Sequence, residues 1–275
     1  MAAVFSTVPT PLLPVSVAAF GEGPPVVYLH DVLFDLVPLD GELPPFLDSL
    51  SNGHEIYAPA LPGFRDLKEL PSVDAVEDYV LLVADLLTAL QLERPHLVGT
   101  GLGGWLAAEV AVHRPESIAT LTLINAYGLH VDGQPISRFF DAAAPNPLGG
   151  RREIRELLFV DPDGLIAQEY LPDFPEDDVN EAFFTHVHAA ARIGWSPPAF
   201  YDPKLRSRLG RIRVPTHVIW GDGNAVAGIE HGRAYEAAIE DASLTIIAGA
   251  GQSITVEQPD TLAKAVATFI GQHDC

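Results

Sequence analysis

Residues 96–113, His-Leu-Val-Gly-Thr-Gly-Leu-Gly-Gly-Trp-Leu-Ala-Ala-Glu-Val-Ala-Val-His, decide the fold. An apolar run at Leu97 and Val98 leads into a glycine-rich corner, and a segment rich in Ala, Leu and Val follows. This order predicts a strand, a tight turn and a helix. The vertex of such a turn is raised above the end of the sheet, and here the vertex is Gly101.

Apolar runs on both sides of this stretch predict the other strands, at 14–20, 25–30, 54–58, 118–125, 216–220 and 243–247. The first two are separated by Gly-Glu-Gly-Pro, which predicts a hairpin between them. Apolar residues recur at intervals of three and four after Ser72, so we expect a helix there with Ser72 as its N-cap. Further helices are expected near 231–240 and 259–270. Alternating strands and helices indicate βαβ crossovers and a mainly parallel sheet.

The alternation breaks between residues 130 and 205, where turn-rich pieces separate short helical runs such as 179–192. We interpret this segment as a helical cap over one end of the sheet. The predicted organisation is therefore a core at 1–129, a cap insertion at 130–205, and the rest of the core at 206–275.

Composition limits the possible partners. The chain has 275 residues, 48% of them hydrophobic and 19% charged, as in globular proteins. A formal net charge of −21 argues against nucleic acid and anionic membranes, since both favour clusters of Lys and Arg. The single cysteine, Cys275, allows neither a disulfide framework nor a thiolate metal cluster. No apolar run is long enough to span a bilayer and the N-terminus lacks a basic flank, so we expect a cytoplasmic protein.

Five short segments together resemble the cap-bearing bacterial type of α/β-hydrolase. They are Val-Val-Tyr-Leu-His at 26–30, the Pro-Gly turn ending at 63, Asp-Pro-Lys-Leu at 202–205, Val-Ile-Trp-Gly at 218–221, and Gly-Ala-Gly at 249–251. The resemblance covers nearly the whole chain. It implies an α/β fold with a mainly parallel eight-stranded sheet flanked by helices, and a helical cap inserted after strand 6.

The same resemblance implies where a Ser-Asp-His triad would lie, and all three positions differ. The serine position is Gly101, the acid position is Asn224 and the histidine position is Gln252. Glycine cannot attack a carbonyl, and neither carboxamide titrates near neutral pH. Loss of one triad member typically costs about 10⁴ to 10⁶ in rate, so we expect no hydrolysis through this triad. Restoring Ser, Asp and His is expected to restore some esterase activity.

A fourth departure lies in the loop after the first parallel strand, where Asp31 replaces the glycine that follows the family's histidine. Asp31 is either a turn or capping residue, or a general base whose pKa is raised in a partly dry pocket. As a base it would support lyase, isomerase or dehydratase chemistry. It would alternatively activate water in an atypical hydrolase.

Glycine at the vertex is expected to leave room above the sheet, where the backbone N–H of Leu102 would meet a carbonyl or an anion. The predicted function is binding, or non-hydrolytic transformation, of a small and largely apolar carbonyl compound. A non-catalytic interaction protein is a further alternative, and the oligomeric state is left open. No metal is expected, because His186 and His188 diverge on a helix and would share an ion only on a strand. No cofactor is predicted. The predicted ligand-binding residues are His30, Asp31, Thr100, Leu102, Tyr127, Phe184, Trp195 and Tyr201.

Overall fold

A computed structural model describes residues 3–39, 42–136, 139, 142, 150–194 and 200–274. Within these ranges the strands form an eight-stranded sheet in the order β1-β2-β4-β3-β5-β6-β7-β8. From β4 to β8 neighbouring strands are parallel, whereas β2 pairs antiparallel with β1 and β4. The predicted α/β fold with a mainly parallel sheet is confirmed. The strands are β1 Val4–Val8, β2 Val15–Phe20, β3 Pro25–Leu29, β4 Glu55–Pro59, β5 His96–Thr100, β6 Leu121–Ile124, β7 Thr216–Gly221 and β8 Ala242–Ile247.

Helices pack on both faces of the sheet. Along β3, Val27 and Leu29 pack into the cluster that holds α2 and α3, whereas Val26 and Tyr28 pack into the cluster that holds α1 and α10. Both faces of this strand are therefore buried, which explains its continuous apolar sequence. The helices are α1 Pro45–Leu50, α2 Val76–Ala89, α3 Leu102–His113, α4 Arg151–Leu158, α5 Leu165–Tyr170, α6 Asp177–Gly194, α7 Leu205–Arg208, α8 Ile229–Ala238, α9 Ile254–Glu257 and α10 Pro259–His273, with 3₁₀ helices at Leu67–Ser72, Pro115–Ser117 and Leu209–Arg211.

The strand–turn–helix prediction for 96–113 is confirmed. β5 ends at Thr100, and α3 begins at Leu102. The residue between them, Gly101, has φ +51° and ψ −110°, a left-handed φ that is strained for residues with a Cβ. None of the helices in the described ranges is both long and apolar enough to cross a bilayer.

The predicted hairpin between β2 and β3 is wrong, because β4 lies between these two strands in the sheet. The glycine-rich turn that joins β2 and β3 lets the chain before β4 pack closely against it. A Cβ built on Gly21, at φ +86°, would lie 2.1 Å from the carbonyl oxygen of His54. The turn therefore leaves room for the chain that enters β4, and β3 pairs with β4 and β5.

Two local details also differ from the sequence-based expectation. Ser72 is not an N-cap, because it ends a 3₁₀ helix and α2 begins four residues later at Val76. The side chain of Asp78 instead accepts the backbone N–H groups of Asp74 and Ala75. The additional strand is β1, which is mostly exposed at the sheet edge and so lacks an apolar alternation.

The helices α4, α5 and α6 follow β6 and precede β7 in the chain. The predicted helical run at 179–192 lies within α6 and is confirmed. The backbone N–H of Ser253 donates to the carbonyl of Leu158, so the end of α4 contacts the loop after β8. The division into a core and a cap at residues 130 and 205 stays a prediction.

Candidate functional site

The loops that follow five parallel strands meet at one edge of the sheet. Each parallel strand ends at this same edge, where α/β proteins commonly place their ligands. The polar or conformationally special residues that these loops bring together are Asp31, Gly101, Asn125, Tyr127, Asn224 and Gln252.

The carboxylate of Asp31 lies where a side chain at position 101 would lie. A Cβ built on Gly101 would be 2.1 Å from Cγ and Oδ1 of Asp31 and 2.2 Å from its Oδ2. These distances are far below the 3.5 to 4.0 Å, roughly, at which carbon atoms make favourable contact. The room expected above Gly101 is therefore filled by Asp31.

Asp31 also takes the donors that were expected to face a ligand. Its Oδ1 accepts the backbone N–H of Leu102 at 2.9 Å, at the N-terminus of α3. Its Oδ2 accepts Nε2 of Gln252 at 2.9 Å, and the hydroxyl of Tyr127 donates to the same oxygen at 3.4 Å. The backbone N–H of Val32 further favours the carboxylate form. These groups bind a carboxylate in the way an anion site does, and the carboxylate belongs to the protein itself.

Two of the site's carboxamides, those of Asn224 and Gln252, form a chain of hydrogen bonds that runs in one direction. Oδ1 of Asn224 accepts the backbone N–H groups of Val226 and Ala227, each at 3.0 Å. Nδ2 of Asn224 therefore faces the other way and donates to Oε1 of Gln252 at 2.7 Å. Nε2 of Gln252 is then left to donate to Asp31. Backbone donors at one end and a carboxylate at the other fix both amide orientations.

A second buried carboxyl group, Asp35, lies close to Asp31. It is 3% exposed, and the hydroxyl of Thr255 donates to its Oδ1. Burial raises the pKa of Asp35 to about 7, and the negative charge of Asp31 adds to this while the Thr255 hydroxyl opposes it. Burial also raises the pKa of Asp31, against the opposing hydrogen bonds from Leu102 and Gln252. Each carboxyl therefore holds a proton more firmly than an exposed aspartate does.

A cavity of about 10 Å³ adjoins these two carboxyl groups, and Tyr127, Phe139 and Leu158 contribute to its lining. Its volume is close to the minimum that holds one water molecule. Pockets for drug-sized ligands are commonly about 300 to 1,000 Å³. The site in this conformation therefore has the dimensions of a water site.

His30 and Thr100 are both buried next to the site but bond elsewhere. Nε2 of His30 accepts the backbone N–H of Leu61 at 3.0 Å, so its Nδ1 carries the proton and donates to the carbonyl of Asp31. Burial lowers the pKa of His30 to about 3, which keeps the ring neutral. The hydroxyl of Thr100 pairs with that of Tyr28 at 3.0 Å. His30 orients the loop, and Thr100 does not line the cavity beside Asp31.

The aromatic residues predicted to bind the ligand lie on different surfaces. Tyr127 lines the cavity, whereas Phe184 is half exposed on α6. Tyr201 stacks on His130, with ring centroids 4.9 Å apart, and lines a separate groove. Trp195 lies outside the described residues.

Sequence reasoning missed Asp35, Thr255 and Asn125. Asn125 directly follows β6 and connects its loop to the end of β7 and to the loop after β8, since its Oδ1 accepts the N–H of Gly221 and its Nδ2 donates to the carbonyls of Gly251 and Gln252. Its place at the end of a predicted strand was the available signal. Asp35 and Thr255 offered none, because they come together only through tertiary packing.

The fold and the position of the site are those of the α/β-hydrolase class. Residues 26–265 match the model of the alpha/beta hydrolase family, and the chain belongs to that family.

Two curated relatives share 26% of residues with it. One is the dihydrolipoyllysine-residue acetyltransferase component of the acetoin cleaving system of Pseudomonas putida, aligned over 82% of this chain but 58% of its own length. The chain thus spans little more than half of that relative. The other is the 2-hydroxy-6-oxo-6-phenylhexa-2,4-dienoate hydrolase of Comamonas testosteroni, aligned over 83% of this chain and 80% of its own.

A solved structure of similar fold is that of a putative lipase from Acinetobacter baumannii. The two structures superpose with a TM-score of 0.77 at 15% identity, covering 99% of this chain and 92% of the lipase. At that identity the likeness concerns the fold alone.

Proposed function

We propose that this member of the α/β-hydrolase family does not hydrolyse esters through a Ser-Asp-His triad, and that Asp31 stands as a built-in carboxylate in the place of the nucleophile. The observation that carries the proposal is the 2.1 Å between Cγ of Asp31 and a Cβ built on Gly101. A serine side chain and the Asp31 carboxylate cannot occupy this space together. The N–H of Leu102, which would stabilise an oxyanion, already binds Asp31.

The other two triad positions support the same conclusion. Asn224 and Gln252 are neutral amides bonded to each other and to Asp31, so neither serves as a base toward residue 101. The ligand class we propose is a small, largely apolar oxo compound. The name of the related Comamonas hydrolase describes a substrate with an oxo group and a carboxylate. Such a ligand would take the donors of Leu102 and Gln252 only when Asp31 moves aside, as the small cavity requires.

A second candidate, hydrolysis by water that Asp31 activates, is favoured by one observation. The water-sized cavity touches both Asp31 and Asp35, and burial raises the pKa of both carboxyl groups. Asp31 would take a proton from the water while the oxygen of that water attacks the carbonyl of the substrate. Asp31 would then pass the proton to the leaving group.

The experiment compares p-nitrophenyl acetate and butyrate hydrolysis by the wild type and Asp31→Asn, with a fluorophosphonate labelling assay beside it. The first proposal predicts hydrolysis at the rate of buffer for both proteins and no covalent labelling. If the wild type hydrolyses these esters and Asp31→Asn does not, the second candidate replaces the first proposal. Stoichiometric fluorophosphonate labelling would contradict both.

A further inference from the structure

A groove of about 860 Å³ lies on a different surface, between α2 and α3 on one side and the segment 201–208 on the other. It shares none of its described lining residues with the cavity beside Asp31. Its volume falls within the range of small-molecule sites, which is about 300 to 1,000 Å³. The groove is therefore large enough for a ligand, whereas the cavity at the sheet edge is not.

The wall that α2 forms is mostly apolar, with Glu77 as its charged residue. Val76, Val80 and Ala84 recur at intervals of four and so line one face of the helix, with Leu81 beside them. The side chain of Leu81 is 60% exposed. Trp105 of α3 is 2% exposed and lines the groove on the same side. An apolar chain laid along α2 would cover Leu81 and remove its surface from water.

Polar contacts hold the opposite wall in place. Nη2 of Arg208 donates to both carboxylate oxygens of Glu109, at 2.7 and 2.9 Å, and to Oδ2 of Asp202 at 2.7 Å. The indole Nε1 of Trp105 donates to the same Glu109 at 3.4 Å. Glu109 is only 3% exposed, so these bonds compensate for the burial of its charge. The wall is thus built before any ligand arrives.

The charge of the groove differs from that of the molecule. The whole chain has 37 acidic and 16 basic residues, whereas the described lining has four of each. Glu109 and Asp202 already bond to Arg208. The side chains of Arg114 and Lys204 are exposed and form no salt bridge with a described carboxylate. Asp74 and Glu77 also line the groove, so its formal charge is zero. An anion therefore meets less repulsion here than on the average surface, and it can pair with Arg114 and Lys204.

We propose that this groove binds a medium-chain or long-chain carboxylate, with the alkyl chain along α2 and the carboxylate at Arg114 and Lys204. The apolar wall of α2 would bind the alkyl chain of the ligand, and the exposed cations would bind its carboxylate. The proposal does not depend on the fate of Asp31, because the two sites have separate linings.

Isothermal titration calorimetry with sodium dodecanoate below its micellar concentration tests the proposal. We expect one site on the wild type. Octanoate is four methylenes shorter, and at about 0.8 kcal/mol for each buried methylene we expect it to bind about 200-fold more weakly. Dodecyltrimethylammonium has the same chain with the opposite charge, and we expect it to bind at least about tenfold more weakly than dodecanoate.

Two variants locate the site, and each has a matched control. Leu81→Glu and the double variant Arg114→Glu/Lys204→Glu are each expected to weaken dodecanoate binding about tenfold or more. Leu165→Glu, at a side chain 90% exposed on α5, and Arg213→Glu/Lys264→Glu, at exposed cations outside the groove, should leave it within about twofold.

Thermal unfolding confirms that each variant is folded before titration. Asp35→Asn changes the lining of the Asp31 cavity and should keep the protein folded. We expect it to bind dodecanoate as the wild type does, and weakened binding would overturn the separation of the two sites. No measurable binding by the wild type, or equal weakening by the variants and their controls, would overturn the proposal.

Discussion

Adding a single methyl group at Gly101 measures how closely Asp31 approaches the vertex of the turn. In Gly101→Ala the alanine must adopt the φ of +51° that the glycine has, and its Cβ would lie 2.1 Å from Cγ of Asp31. The left-handed backbone costs about 1 to 3 kcal/mol, and forcing an extra carbon into a filled space costs about another 1 to 3 kcal/mol. We therefore expect the free energy of unfolding to fall by about 2 to 6 kcal/mol.

A double-mutant cycle separates the two costs. In the Asp31→Gly background the space is empty, so Gly101→Ala should cost only the backbone component, about 1 to 3 kcal/mol. Gly133→Ala is the matched control, because Gly133 has φ +77° and no heavy atom within 4 Å of a built Cβ. Urea unfolding followed by circular dichroism gives all the values. The reasoning is refuted if Gly101→Ala costs no more than Gly133→Ala, or if Asp31→Gly leaves its cost unchanged.

Three further predictions concern the polar network. Asp35→Asn should stabilise the protein at pH 8.5 by up to about 4 kcal/mol. The pKa of Asp35 is about 7 in the folded protein against 3.8 for an unperturbed aspartate, so the wild type loses stability as the pH rises between these values. Urea unfolding at pH 5.5 should therefore show a smaller gain for Asp35→Asn, and an equal gain at both pH values would contradict the raised pKa. Asn224→Asp should lower the free energy of unfolding at pH 8 by about 1 to 3 kcal/mol, since its carboxylate would face Oε1 of Gln252; urea unfolding without any loss would show that the amide chain runs the other way. Contrary to the expectation from the sequence alone, restoring Ser, Asp and His at 101, 224 and 252 should leave p-nitrophenyl acetate hydrolysis at background while Asp31 remains, because Asp31 fills the space of the serine side chain. Adding Asp31→Gly should raise the rate, and activity in the three-residue variant would mean that Asp31 leaves the vertex readily.

The sequence was sufficient for the elements whose signals are local. The glycine corner at 99–104 sits between a strand and a helix, and this pattern defined the vertex at Gly101. The hairpin between β2 and β3 was a wrong prediction, because the choice of partner strand depends on tertiary packing, and β4 lies between them and pairs with both.

The sequence predicted which loops meet at the site. Asp31, Gly101, Asn224 and Gln252 come together because parallel strands end at the same edge, and this follows from the order of strands and helices. The position of one carboxylate could not be predicted. It depends on a distance of a few ångströms between the loops after β3 and β5, which is set by their pairing register. For the same reason the sequence did not show that Tyr201 faces a different groove.

The central claim is that the vertex of the turn is an anion site that the protein fills with its own Asp31. Removing that carboxylate should leave the N–H of Leu102 and Nε2 of Gln252 without their acceptor. Sodium formate should then bind to Asp31→Gly and raise its free energy of unfolding by about 1.4 kcal/mol at ten times its dissociation constant, with sodium chloride as the control for ionic strength. We expect formate to stabilise Asp31→Gly by an amount that rises with the logarithm of its concentration above the dissociation constant, and to leave the wild type unchanged. Equal responses of both proteins to formate and chloride would contradict it.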